Sequence, residues 1–230
     1  MRESFLGLST YRENAVRRFA SLCNSKDIEF VFDVGANVGQ FVLDLRRHGY
    51  RNNVVSFEPV SETYTKLVQN FKNDHNWRGL QKGVGKEQGE LQINFSANAG
   101  LSTSFLDMEV SHLENFPQSN FVSTEIVQVT TIADQIRDSR IDPLKLAVKI
   151  DVQGFELEVL RGAMSELKNI RCLLIEASLI PLYVGEPSLK ELLEFLDLHD
   201  HKVVDIFRGI KAKNGNLLQV DLITLNTNFA

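Results

Sequence analysis

The stretch that decides the fold is Glu29-Phe30-Val31-Phe32-Asp33-Val34-Gly35-Ala36-Asn37-Val38-Gly39-Gln40-Phe41-Val42-Leu43-Asp44-Leu45. It opens on a short apolar run rich in Val and Phe, a strand signature, which a glycine-bearing turn cuts off. Beyond the turn, Phe41, Val42 and Leu45 fall on one face of a helix. Strand, loop and helix in that order open a doubly wound α/β domain, a parallel sheet with helices on both faces.

The alternation continues in both directions. Residues 53–57 read as a second strand, and Ser61 as an N-cap, with Glu62, ahead of the helical set Tyr64, Leu67, Val68 and Phe71. A third strand is expected over 80–84. Residues 90–95 alternate with period two, and the stretch to about Pro117 lacks strong periodicity, so a hairpin and loop insertion are expected over about 87–123. A strand at 125–129, a helix at 131–137 and a buried strand at 144–150 ending at Asp151 come next, then a helix over 155–167. Residues 170–175 form a strand ending at Glu176, and 188–198 an amphipathic helix. Residues 202–207 pair with 217–225 across Asn214-Gly215-Asn216, which places one antiparallel strand in a mostly parallel sheet. Upstream, residues 11–23 put Val16, Phe19, Ala20 and Cys23 on one helical face. Residues 1–27 are therefore read as a packing-helix extension of a domain spanning 28–230.

With 230 residues, 43% of them hydrophobic, the chain can bury one substantial core. Lysine and arginine total 25 against 30 acids, a net charge of −5, and the pairs Arg17-Arg18 and Arg46-Arg47 lie in helical patterns rather than a stripe. That distribution argues against duplex nucleic acid as the main partner. Cys23 and Cys172 form neither a CxxC nor a zinc spacing, and Cys172 sits in an apolar run suited to a buried thiol. A reducing compartment follows. No stretch approaches the roughly 18 apolar residues of a membrane span, and the first residues lack a signal-peptide core, so a cytoplasmic protein is expected.

The loop after the first strand indicates a ligand. Gly35 and Gly39 give backbone clearance at a helix start, where N–H groups can approach a bound molecule. Their Gly-x-x-x-Gly spacing departs from the Gly-x-Gly-x-x-Gly that seats a pyrophosphate, so a ligand without phosphates fits better. Asp33 at the strand end would repel phosphates and attract an ammonium, which S-adenosylmethionine carries. The second strand ends in Ser56-Phe57-Glu58-Pro59, nineteen residues separating Glu58 from Gly39, where an acid can accept both ribose hydroxyl protons. Asp33, Gly35, Ala36, Asn37, Gly39, Glu58 and Pro59 are the candidate cofactor residues.

The crevice of such a sheet lies between the first and fourth strands, and the fourth ends at Asp151. Strand alternation puts Lys149 and Asp151 on one face; Gly154 allows a tight helix start, and Glu156 suits the first turn of the helix. Glu176 ends the adjacent strand. Carboxylates at neighbouring tips can form a base, a divalent-metal site or both. Lys149 as an ion-pair partner and Glu156 as a helix-start acid are the plain structural readings.

These residues together resemble the FkbM family of methyltransferases, through residues 31–39, Phe57-Glu58-Pro59 and above all Lys149-Ile150-Asp151-Val152-Gln153-Gly154-Phe155-Glu156. The likeness extends through Leu160-Arg161-Gly162-Ala163 and Leu174-Ile175-Glu176 to Asp221-Leu222. It implies a seven-stranded, Rossmann-like class I methyltransferase fold and methyl transfer from S-adenosylmethionine to oxygen, commonly a hydroxyl on a sugar or secondary metabolite. It further implies that the loop residues and Glu58 hold cofactor, while Lys149, Asp151, Glu156 and Glu176 shape the acceptor side. The insertion, with Phe95, Asn98, Ser102, Thr103, Phe105, His112 and Phe116, is placed to act as an acceptor lid or to pack as a plain surface loop. His199 and His201 read as surface residues. Two other functions share the loop: a nicotinamide-dependent oxidoreductase, disfavoured by the glycine spacing and the absence of Tyr-x-x-x-Lys, and a nucleotide-binding module without turnover.

Overall fold

A computed structural model describes residues 3–98 and 102–229, with 3–13, 111 and 229 as backbone alone. The elements run α1 (Glu3–Ser25), β1 (Phe30–Val34), α2 (Gln40–Arg47), β2 (Asn53–Phe57), α3 (Ser61–Phe71), β3 (Trp77–Leu80), β4 (Gly83–Val84), β5 (Gly89–Ser96), α4 (Val110–Asn115) and β6 (Phe121–Thr130). They continue with α5 (Ile132–Ser139), β7 (Leu146–Ile150), α6 (Glu156–Arg161), β8 (Cys172–Ser178), α7 (Leu189–Leu198), β9 (His201–Arg208) and β10 (Gln219–Asn226).

Seven strands form one sheet in the order β3-β2-β1-β7-β8-β10-β9. β10 is antiparallel to both neighbours, while β1, β2, β3, β7 and β8 pair in parallel. Strand order reverses between β1 and β7, which sets a crevice at their carboxyl ends. The register there aligns Asp33 with Ser56 on one side and with Lys149 on the other.

Alternation along β1 divides the core. Phe32 and Val34 face a cluster with Ile132, Ile136, Val159, Leu160, Leu192 and Leu196 from α5, α6 and α7. Val31 faces the other side, where Val16, Phe19, Ala20 and Cys23 of α1 pack with Phe41, Val42 and Leu45 of α2 and Leu67 and Phe71 of α3. The helical face expected on residues 11–23 is thus buried from Val16 onward, and Arg18 ties α1 to Asp205 on β9 at 2.7 Å. Both cysteines are free and buried, and burial pushes their thiols up. Among the described residues no helix is long and apolar enough to cross a membrane.

Three local expectations are corrected. The strand expected over 80–84 is two strands, β3 and β4, because the chain leaves the main sheet after Leu80; β4 joins β6 in a separate three-stranded sheet, β4-β6-β5. The helix expected over 155–167 starts at Glu156 and ends at Arg161, and Gly162 after it packs so close to the Gly85 carbonyl that a Cβ there would collide. Ser61 is the first helical residue rather than the cap; Val60 holds the cap position, and the Ser61 hydroxyl bonds to Glu125 instead. Ser188 does cap α7, in a reciprocal pair with Glu191.

Phe19 is fully buried, its ring centroid 5.9 Å from that of Phe41. Phe19→Ala is expected to cost about 3–5 kcal/mol, read in urea as a lower midpoint with an unchanged slope.

Candidate cofactor and acceptor site

The loop between β1 and α2 is closed on itself. The N–H groups of Gly35 and Ala36 donate to the carbonyl of Phe57, and that of Gly39 to Ala36. Asn37 N–H donates to Glu58 Oε2 at 2.9 Å, and Val38 N–H to Asn37 Oδ1 at 2.7 Å. The amides expected to approach a ligand are therefore engaged inside the protein. The glycines serve packing as well: with φ at +76° and +93°, a Cβ on Gly35 would strike the Asp151 carbonyl, and one on Gly39 the Phe71 ring.

Asp33 lies beneath this loop, fully buried. Lys149 Nζ is 3.1 Å from its Oδ1, out of hydrogen-bond alignment, and Ser56 Oγ donates to its Oδ2 at 3.2 Å. The same ammonium donates to the carbonyls of Val34 at 3.2 Å and Gly35 at 2.8 Å, and lies 3.6 Å from Asp151 Oδ2. An ammonium from a ligand was expected against Asp33; the cation that meets it is Lys149, because β1 and β7 pair these residues side by side. Lys149 thus fixes the loop from below.

Glu58 stands at the tip of β2, only 6% exposed, with Ala36 and Pro59 buried beside it. Its Oε2 accepts from Asn37 and its Oε1 from Val60 N–H at 3.0 Å. Burial pushes its carboxyl up to about 7 against the pull of those two bonds. A carboxylate has about four acceptor positions, so two remain for hydroxyl donors.

At the other end of the crevice, Gln153 links the acids. It adopts a left-handed φ of +56°, and its Nε2 donates to Asp151 Oδ1 at 2.8 Å and to Glu176 Oε2 at 2.9 Å. Gln219 adds a second donor to Glu176 Oε2 at 2.7 Å, and Tyr183 OH donates to Gln153 Oε1 at 2.8 Å. Asp151, Glu176, Lys149 and Asp221 line one crevice of about 10 Å³ with Val16 and Phe41, room for a single water. Among the described residues no group of three or more His, Cys, Asp or Glu is arranged to hold a metal. Glu156 points away from that crevice, into the turn. It is 5% exposed, its Oε1 takes the N–H groups of Val152 and Gly154, and burial raises its carboxyl to about 7.

The excursion between β5 and β6 docks over this end. Ser104 Oγ donates to the Gln153 carbonyl at 2.6 Å, Phe105 packs on Phe155 with centroids 5.0 Å apart, and Met108 bridges to Tyr183. Asn98 and Ser102 bond to one another and to Ser119, while Thr103 accepts from Ser96 N–H; Phe95 packs in a small apolar cluster with Val60. His112 is buried between the rings of Phe116 and Tyr183, which keeps its imidazole below the usual range by desolvation. His201 is corrected from surface to core: its ring bridges Thr224 and the Leu167 carbonyl, both at 3.0 Å. His199 is half-buried on Phe195. Gln153, Tyr183, Gln219 and Asp221 were not legible as site residues; Gln153 and Asp221 sit inside recognisable blocks, but only the fold shows what they touch.

With this geometry in place, the chain matches the Methyltransferase FkbM domain over residues 33–203. The chain belongs to the FkbM methyltransferase family. Relatives include Methyltransferase 1 of Beauveria bassiana, 28% identical over 61% of this chain and 60% of its own length. Another is the hexuronic acid methyltransferase AglP of Haloferax volcanii, 25% identical over 66% of this chain and 57% of its own. The chain therefore spans about three-fifths of these two relatives. Among solved structures, a magnesium protoporphyrin IX methyltransferase from Synechocystis with bound S-adenosylmethionine covers 95% of this chain and 81% of its own at 9% identity, with a TM-score of 0.52. That likeness establishes the class I methyltransferase fold.

Lys149→Met leaves the Asp33 charge buried without its cation and is expected to cost about 3–5 kcal/mol; adding Asp33→Asn should recover part of the loss in urea unfolding. Glu156, with its carboxyl raised, favours the folded state below the ordinary carboxylate range and loses that contribution as pH rises through about 7. Glu156→Gln mimics the protonated acid, so its Tm should match wild type near pH 5 and exceed it by roughly 5 °C at pH 8.

Proposed function

We propose that this protein is an S-adenosylmethionine-dependent O-methyltransferase acting on a hydroxyl of a sugar or secondary metabolite. Residues 28–230 make the catalytic domain, residues 1–27 extend it, and the 87–123 segment covers the acceptor. The observation that carries the reading is Glu58: a buried carboxylate at the β2 tip, bonded to the turn of the β1 loop and retaining two acceptor positions. Those positions fit the paired hydroxyls of a ribose, with Ala36, Asn37 and Pro59 around it. Gly35 and Gly39 act by letting the loop take this shape, and Asp33 by anchoring Lys149 beneath it. The hexuronic acid methyltransferase among the relatives supports a sugar acceptor.

Bound S-adenosylmethionine supplies an electrophilic methyl on a sulfonium. Methyl transfer needs the acceptor oxygen in line and water excluded. Asp151, at the β7 tip, accepts the hydrogen bond of the incoming hydroxyl and then its proton as the new C–O bond forms and the methyl–sulfur bond breaks, the bonding pair leaving on a neutral thioether. A base of this kind contributes about 10²–10⁴-fold. Glu176 shapes the acceptor's other side. Because the crevice holds about one water, seating an acceptor there requires a neighbouring segment to move.

Calorimetric titration with S-adenosylhomocysteine and, separately, NAD tests the reading. Micromolar binding of the first is expected, weakened by Glu58→Ala and falling up to tenfold per pH unit below about 7 as the carboxyl protonates. Binding of NAD alone sinks the proposal and favours an oxidoreductase. Asp151→Asn should lower turnover by orders of magnitude while sparing cofactor affinity; a chain that binds cofactor but methylates no hydroxyl compound is a binding module.

A further inference from the structure

We infer that Gln153 is a positioning residue that holds Asp151 and Glu176 together and couples them to the docked excursion; the functional meaning of this rests on the methyltransferase reading above. Two carboxylates on adjacent strands, Asp151 just past the end of β7 and Glu176 within β8, repel each other unless donors stand between them. One amide nitrogen fills that place, 2.8 Å from Asp151 and 2.9 Å from Glu176, and uses both of its hydrogens.

The amide's orientation is itself fixed. Tyr183 OH donates to Gln153 Oε1 at 2.8 Å, so a flip that turned the oxygen toward the acids would lose this bond and set like charges face to face. The backbone is fixed too: Ser104 of the excursion donates to the Gln153 carbonyl. Tyr183 pairs with Met108 of the excursion in a bridge and packs against His112 of α4. Among the described residues, the holds on Gln153 beyond the acids come from the excursion or from the Tyr183 segment it lies on. A left-handed φ in a glutamine is a strained state that persists when its surroundings demand it. Charged and polar groups facing the acid pair among the described residues include Lys149, 3.6 Å from Asp151, Gln219 on Glu176, Asp221 opposite Glu176 across β8 and β10, and Glu156 in the following turn.

This arrangement makes acid placement depend on closure. When the excursion leaves to admit an acceptor, Gln153 loses Ser104, and Tyr183 loses its backbone bridge to Met108 and its ring contact with His112. When it returns, the amide is driven back between the carboxylates, with the acceptor enclosed.

The test uses Gln153→Gly, Tyr183→Phe and Ser104→Ala. Glycine keeps the left-handed turn at no steric cost, so Gln153→Gly removes the amide without forcing the backbone. Carboxyl ¹³C titration of the labelled full chain, with resonances assigned from Asp151→Asn and Glu176→Gln, reads the two acids directly. Loss of a donor to the charged form is expected to raise both titration midpoints by roughly one unit in Gln153→Gly, and by less but in the same direction in Tyr183→Phe and Ser104→Ala. S-adenosylhomocysteine affinity, measured in parallel, should stay within about twofold of wild type, because the β1 loop is untouched. Unchanged midpoints in Gln153→Gly overturn the inference. Movement there with wild-type titration in both other variants overturns the coupling to the excursion. Failure of the wild-type chain to bind S-adenosylhomocysteine defeats the methyltransferase reading separately, whatever the acids do. Should Gln153→Gly fail to fold, Tyr183→Phe alone decides, since it keeps the amide and removes only its orienting bond.

Discussion

The ammonium of Lys149 is the point on which both halves of the site rest. It is buried at the centre of the sheet, within reach of the Asp33 carboxylate, the carbonyls of Val34 and Gly35, and Asp151. A buried cation is tolerable only when such partners surround it, and each partner is correspondingly immobilised. The loop that would face the cofactor and the acid that would face the acceptor are therefore held by the same charge. Parallel pairing of β1 with β7 creates this contact, by placing Asp33 directly beside Lys149.

From that centre the loop closes outward without help from a ligand. Its N–H groups find Phe57, Glu58, Asn37 and Ala36, and its glycines yield space to Asp151 and Phe71. Every one of these bonds lies within the protein, so the loop's shape is set by its own partners. Glu58 stores the consequence: it is buried far enough to hold its proton near neutrality, and it keeps acceptor capacity for hydroxyls. The acceptor end is built differently. There, polar side chains from β7, β8 and β10 meet across the crevice, and Ser104 of the excursion bonds the Gln153 carbonyl beside it.

Much of this was legible in the chain. Short apolar runs and the hairpin at Asn214-Gly215-Asn216 located every strand of the main sheet except β3, whose residues Trp77-Arg78-Gly79-Leu80 carry no apolar run because the strand lies at the sheet edge, half-buried. Glu58 and Asp151, just beyond the ends of β2 and β7, were legible because a charge that ends an apolar run marks where a strand leaves the core; Asp33 and Glu176, read in the same way, lie inside β1 and β8, and the strand expected to end at Glu176 runs on to Ser178. The glycine pattern marked the loop, although its clearance goes to protein rather than ligand. His201 misled because a polar residue before a strand looks exposed until Leu167 and Thr224 close over it.

The sequence by itself determined the doubly wound architecture, the position of the β1 loop and the identity of the strand-tip acids, because periodicity and chain order are local properties. Tertiary structure alone decided that Lys149 would be the cation for Asp33, that Gln153 would sit between Asp151 and Glu176, and that Tyr183 and Ser104 would hold it there. Those partners lie up to 116 residues apart, from Asp33 to Lys149. Which buried polar groups satisfy one another at that separation is set by strand order and register, which no local pattern encodes.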